Sequence, residues 1–337
     1  MNEDRNSRSN RTIIGITMGD AAGIGPEIVI KSVVDGELNK IIRPVLIGDR
    51  GLLERTGSSL GIEVAFAEFN RDNLPNTGEI EVVDLGNLPK EFSIGEVSPE
   101  TGKAAGEFIE KAVELWKNGE IDAISTAPIN KLSLGLGGYE YPGHTEFIAA
   151  LTETKDFAMS FFAGDLRVVL LSTHLSLKNA IGKVKTEPLV KLIEFTSLNL
   201  ASLLGRKIKI AVAGVNPHAS ENGMFGSEES DEIEPAINAC VKNGIEVSGP
   251  FSPDTIFLRG YKGEFDAVIA CYHDQATIAV KCLSFGTAVN VTLGLPLIRT
   301  SVDHGTAFDI AGKGIADASS MSVAIKLAGE LAATKII

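Results

Sequence analysis

Cysteine, histidine and tryptophan are scarce in this chain, at three, five and one among 337 residues. The three cysteines, Cys240, Cys271 and Cys282, have no CxxC spacing, which disfavours a disulfide framework or a cysteine-based zinc site and leaves them as core filler in a reducing compartment. Basic residues are also in deficit. Against 44 Asp and Glu stand 31 Lys and Arg, a formal charge of −13, so nucleic acid and anionic membranes are not expected partners; either would need clustered cations. No apolar run approaches the ~20 residues that span a bilayer. The opening MNEDRNSRSNR is polar throughout and lacks the apolar stretch of a signal peptide. These absences predict a cytoplasmic protein with a disordered tail over residues 1–11.

What is present is enough apolar material, 44% of residues, for one large core or two modest ones. Short β-branched runs alternate with helical patterns along the whole chain, which predicts an α/β fold with a parallel or mixed sheet covered by helices. Strands are predicted at 12–17, 43–48, 121–125, 166–172, 208–215, 267–272 and 289–293. After Ser98-Pro99 a helical stripe carries Ala105, Phe108, Ile109, Ala112, Leu115 and Trp116, with Gly119 beyond its end. Further helices are predicted at 187–204, 231–243 and 319–334. The loop LGLGGYEYPGHTEF has the glycine and proline content of a crossing between domains. Met18 to Glu27 is glycine-rich and lies between a strand and a helix, but its glycines do not fall as GxGxxG. No Rossmann domain is assigned from it.

All five histidines sit in polar segments that follow strand-like runs: His144, His174, His218, His273 and His304. Ends of strands are where open α/β sheets bind ligands, and imidazole is the commonest metal ligand. Gaps of 30, 44 and 55 residues separate the first four, so any metal site must be assembled by the fold rather than by a short motif. Three histidines with coordination positions left open suit a catalytic zinc or another divalent ion. Direct substrate binding by one or two of them is the alternative. Lys281, Asn290 and Arg299 lie in a region with few other charges, where Lys and Arg can clamp a phosphate or a carboxylate.

The segments STAPINK, YPGHTEF, THLSL, GVNPHASENGMFGSEE, GPFSPDTIF, CYHDQ and NVTLGLPLIRTSVDHGTAFDIAGKG, spread from about Ile14 to Met321, resemble the 4-hydroxythreonine-4-phosphate dehydrogenase family of pyridoxal phosphate biosynthesis. The resemblance implies a two-domain α/β fold like that of isocitrate and isopropylmalate dehydrogenases, with mixed parallel sheets and an active-site cleft between the domains. The expected bounds are 12–134 plus 283–337 for a nucleotide-side domain and 135–282 for a metal-side and dimer-side domain. It also implies a homodimer with a shared site. A divalent metal, zinc first and Mg, Mn or Co as alternatives, would be held by His174, His218 and His273, the last from the partner subunit. Substrate would be bound by His144, Thr145, Lys281, Asn290 and Arg299. The segment from His304 is similar to the loop that holds adenosine in isopropylmalate dehydrogenases, which implies NAD or NADP at His304, Gly305, Asp309, Ala311 and Gly312.

Asp274, next to a ligand, is a candidate general base, or else a carboxylate that orients His273. The activity implied is oxidation of the 3-hydroxyl of 4-hydroxythreonine-4-phosphate followed by decarboxylation. Ala21-Ala22 stands where a proline is expected and Ala276-Thr277-Ile278-Ala279 where a glycine is, while the MGD start and YPGHTE lean toward D-threonate or D-erythronate 4-phosphate dehydrogenases of sugar-acid catabolism. A cis-dihydrodiol carboxylate dehydrogenase is a further alternative within the class, and a non-catalytic binding or regulatory homologue is the reading of another class.

Overall fold

The apolar runs become twelve strands in the computed structural model, which describes residues 11–34, 36–284 and 286–335. In chain order they are β1 (Thr12–Thr17), β2 (Ile42–Gly48), β3 (Ala65–Glu68), β4 (Glu79–Asp84), β5 (Ala123–Thr126), β6 (Ala158–Ala163), β7 (Leu166–Leu170), β8 (Ile210–Ala213), β9 (Val247–Phe251), β10 (Ala267–Ala270), β11 (Val289–Leu293) and β12 (Ile298–Ser301). The expected tail lies outside the described residues except for Arg11. Among the described residues no helix is long and apolar enough to cross a membrane.

The chain divides into two units, residues 1–155 with 295–337, and residues 156–294. In the first, strands run in the order β3-β4-β2-β1-β5-β12 and every pairing is parallel. All six residues of β1 are buried, as expected of a parallel strand covered on both faces, which is why TIIGIT reads as a continuous run rather than an alternation. The helix Pro99–Lys117 is capped by Ser98, whose hydroxyl accepts the Thr101 amide at 3.3 Å, and has proline at its start. Its buried face carries Ala105, Phe108, Ile109, Ala112 and Leu115, as predicted, with Trp116 half-buried.

The second unit orders its strands β11-β6-β7-β10-β8-β9. β11–β6 and β6–β7 are antiparallel, whereas β7–β10, β10–β8 and β8–β9 are parallel. Phe161, Leu166, Val168, Ile256, Phe257, Val268 and Val280 pack into its core.

Both unit boundaries fall later than the sequence predicts. Residues 135–155 belong to the first unit rather than the second, because Gly102 and Gly106, one turn apart on the Pro99–Lys117 helix, leave room for Ser133 and the Tyr139 ring. A Cβ at either glycine would meet them within 1.8 and 2.1 Å. LGLGGYEYPGHTEF is therefore not a crossing. It holds the end of one helix, Lys131–Leu136, and the start of another, His144–Leu151. Residues 283–294 go with the second unit because β11 pairs with β6 along its whole length.

The strands β3, β4, β6, β9 and β12 had no clear periodic signal. The strands before His174, His218 and His273 also stop short of the histidines, and His273 is the first residue of the helix His273–Leu283.

In the glycine-rich loop after β1, Asp20 is fully buried. Its Oδ1 accepts the Ala22 amide at 3.0 Å. Burial raises its carboxyl above the ordinary range, against the pull of the Ala22 amide and the Thr101 and Ser133 hydroxyls. A raised folded-state value means the folded chain holds this proton more tightly than the unfolded chain. Stability should therefore fall as pH rises above the ordinary carboxylate range toward the raised value. In urea unfolding at a series of pH values, Asp20→Asn should flatten that part of the profile; an unchanged slope would refute the assignment.

Candidate active site

In the first unit, β5 and β12 lie side by side with Ile124 opposite Arg299 and Thr126 opposite Ser301. Arg299 is only 3% exposed. Its Nη2 donates to Thr126 Oγ1 at 2.8 Å and its Nη1 to Thr145 Oγ1 at 3.4 Å. Burial pushes the guanidinium down to about 10, opposed by the charge of Glu146, so the group stays cationic at neutral pH. His144 opens its helix after Gly143, which has no side chain to cap it, and it too is buried. Burial, and secondly the Arg299 charge, hold the imidazole well below its ordinary value, so the ring is neutral. Its Nε2 is buried with no hydrogen-bond partner. A buried polar atom left unsatisfied costs about 1–3 kcal/mol, a deficit that a bound hydroxyl or phosphate oxygen would remove. His144, Thr145 and Arg299, taken from separate parts of the sequence, are thus brought together.

The second unit holds the other histidines. His174 and His273 face each other with ring centroids 5.9 Å apart. Asp274 Oδ1 lies 2.7 Å from His273 Nδ1. The carboxylate can only accept, so Nδ1 carries a proton, and in the neutral tautomer this leaves the lone pair on Nε2, the usual arrangement behind a metal-ligating histidine. His218 is not with this pair; its ring stands 6.4 Å from that of Phe225. It begins a left-handed run, His218, Ala219, Ser220, Glu221 and Asn222, with φ between 45° and 73°.

Such backbone costs L-residues roughly 1–2 kcal/mol each and persists only where surroundings enforce it. Here the buried Glu229 accepts the amides of Val215 and Asn216 at 2.8 and 2.7 Å and the Asn216 side-chain amide at 2.8 Å. Ser220 Oγ donates to the Gly226 carbonyl at 2.7 Å. Among the described residues of one chain, no three His, Cys, Asp or Glu side chains group closely enough to hold a metal. The donor chemistry fits a divalent transition ion, with two imidazoles close together and one backed by a carboxylate; the third candidate, His218, does not complete a group with them. Lys281 is exposed near the end of the His273–Leu283 helix. Asn290, on β11, has a buried Oδ1 with no partner.

The segment from His304 is fastened to the first unit. The Thr306 carbonyl accepts the Ile24 amide at 3.0 Å, Lys31 donates to the carbonyls of Gly314 and Ala316, and buried Glu27 accepts the Ala316 amide at 2.8 Å. Gly312 helps line a cavity of ≈ 230 Å³ with Ala21, Gly23, Pro26, Leu60 and Ile94; Thr56 and Ser59 add hydroxyls, and Glu27 and Arg55 are its charged members. His304, Gly305 and Asp309 are exposed and do not line it, and Ala311 is buried.

The model of the pyridoxal phosphate biosynthetic protein PdxA family matches residues 40–328. The chain belongs to this family. A D-threonate 4-phosphate dehydrogenase of Cupriavidus necator is 45% identical over 323 residues, 95% of this chain and 97% of the relative. A protein of Oceanobacillus iheyensis whose name carries the same activity is 49% identical over 331 residues, 97% of this chain and all of the relative. A crystal structure of 4-hydroxythreonine-4-phosphate dehydrogenase from Klebsiella pneumoniae superposes with a TM-score of 0.88 at 41% identity, covering 95% of this chain and 99% of that one. The two-unit α/β architecture is that of these PdxA-type structures.

Sequence reading missed Glu229, Gln275, Ser172 and Thr126, whose hydrogen bonds hold the named residues in place. None has a spacing signal, because each acts on backbone or side chains distant in sequence.

The state of His144 is open to measurement. Its folded value is depressed, so the unfolded chain binds a proton that the folded chain refuses. Stability should fall as pH drops below the ordinary value of 6.5. His144→Gln should lose that acid-side slope in urea unfolding, and a slope equal to the parent's would show that the imidazole is not held neutral.

Proposed function

We propose that the chain is a dehydrogenase of a phosphorylated hydroxy acid, with D-threonate 4-phosphate the first candidate and 4-hydroxythreonine-4-phosphate the second. The observation that carries this proposal is the buried pairing of a cationic Arg299 with a neutral His144 whose Nε2 lacks a partner. A phosphate or carboxylate accepts charge-assisted hydrogen bonds from the guanidinium, and a substrate oxygen completes the imidazole. The order of the two substrates follows the relatives at 49% and 45% identity that carry D-threonate 4-phosphate in their names.

His144, Thr145, Lys281, Asn290 and Arg299 would bind and orient the substrate, so that binding energy from the phosphate aligns the reacting carbon. His174, His218 and His273 would hold a divalent ion, and Asp274 would set the His273 ring rather than act as base. The segment from His304 to Gly312 would hold NAD or NADP. When bound, the ion supplies Lewis acidity that lowers the pKa of the substrate hydroxyl, and the nicotinamide supplies the hydride acceptor. Oxidation places a ketone β to the carboxylate, which makes loss of CO2 facile.

Reduction of NAD or NADP with a panel of phosphorylated four-carbon hydroxy acids should show turnover that chelator abolishes and divalent ion restores. No turnover on any of them, or turnover indifferent to metal stripping, would refute the proposal. Arg299→Ala should lower kcat/KM by about 100-fold or more, on the scale of a charge-assisted hydrogen bond pair.

A homodimer would complete the metal set. One chain brings together His174 and His273 but not His218, and a set shared between two copies accounts for that shortfall. Family resemblance assigns the crossing ligand to His273, whereas the single-chain pairing favours His218. Mixed dimers distinguish these. His174→Ala with His273→Ala subunits should regain up to a quarter to a half of parental activity if His273 crosses; His174→Ala with His218→Ala should regain it if His218 does. No regain in either mixture, despite proven subunit exchange, would mean that no ligand is shared.

A further inference from the structure

Two side chains, Gln275 and Ser172, tie together the strand ends that lead to the three histidines of the second unit. Gln275 lies in the first turn of the His273–Leu283 helix and is 9% exposed. Its Oε1 accepts the Cys271 amide at 2.7 Å, and its Nε2 donates to the Gly214 carbonyl at 2.7 Å. Cys271 directly follows β10 and leads into His273, while Gly214 directly follows β8 and leads into the left-handed run at His218. From the third strand end, Ser172 Oγ donates to the Cys271 carbonyl at 3.0 Å, two residues before His174.

We propose that Gln275 is a positioning residue that fixes where the chain leaves β8 for the His218 turn, a role that rests on the reading of His218 as a metal ligand and holds whichever histidine crosses between subunits. The primary amide is chemically specific here. One group must accept from an amide and donate to a carbonyl at once, in a buried setting, and among side chains of this length only glutamine does both without charge. The chain leaving β8 is then held on both sides: its Gly214 carbonyl by Gln275, and its next two amides by Glu229. A strained turn held so tightly keeps the His218 ring where an ion can use it, and loosening it leaves the imidazole intact but misplaced. Gly214 itself admits no side chain, since a Cβ there would lie 2.9 Å from Ala219 Cα and 3.1 Å from Glu229 Oε1.

The test measures zinc affinity of the purified full chain by chelator competition, without substrate. Gln275→Met, close in shape and unable to make either bond, should bind zinc 10- to 100-fold more weakly, as loss of an outer partner of a metal site does. Gln275→Glu, which keeps the acceptor but at neutral pH lacks the donor, should also lose at least 10-fold. Val280→Ala, at a buried position of the same helix, serves as the stability-matched control and should bind zinc within threefold of the parent. Metal-free urea unfolding places the three on one stability scale. Gln275 variants that bind zinc as Val280→Ala does would overturn the positioning role. A parent that takes up no zinc, with His218→Ala indistinguishable from it, would overturn the ligand reading first and this role with it.

Discussion

Backbone groups at the ends of buried parallel strands are the constraint on which this structure turns. Where a strand stops inside the protein, its last amides and carbonyls have no ladder partner, and each must find another group to bond. In the second unit Gln275 meets that need at both β10 and β8, Glu229 at β8, and Ser172, from the end of β7, at β10. In the first, Asp122 accepts the Ile13 amide at 2.7 Å where β1 begins, and the Pro128 carbonyl accepts the Asp20 amide at 2.9 Å beyond β5. The same bonds that satisfy the backbone fix the direction in which each loop leaves the sheet. Site geometry is therefore a by-product of hydrogen-bond accounting.

Burial of charge is managed in two ways within the first unit. Arg299 is enclosed with hydroxyl partners and a nearby Glu146 whose charge favours the cationic form. His144 beside it is kept neutral by that charge and by burial. Elsewhere a buried arginine is fully neutralised: Arg43 donates to both Glu81 oxygens, at 2.6 and 2.7 Å, and to three backbone carbonyls. Arg43 is spent on structure, whereas Arg299 is held by two hydroxyls beside a neutral imidazole.

Strands with continuous or alternating apolar runs, such as Thr12–Thr17 and Val289–Leu293, were legible at their observed bounds because local periodicity and turn residues define them. The Pro99–Lys117 helix was legible for the same reason, with its cap in Ser98 and its stop at Gly119. The short strands at 65–68 and 79–84 were not, since they draw stability from neighbouring strands rather than from pattern. Domain limits were misplaced because glycine density at 134–147 reads as a linker, whereas the glycines at 102 and 106 that dock this segment lie on another helix.

By itself the sequence determined the α/β class, the family, and the identity of the candidate residues, because residue type and short motifs are carried in the linear order. Tertiary structure alone decided which of them meet. Thr126, Thr145 and Arg299 share one hydrogen-bonded cluster, and His174 pairs with His273 while His218 stands apart on a left-handed turn. Those outcomes depend on sheet order, on the angle at which each loop leaves its strand, and on burial. All three arise from contacts between residues distant in the chain, which no local pattern records.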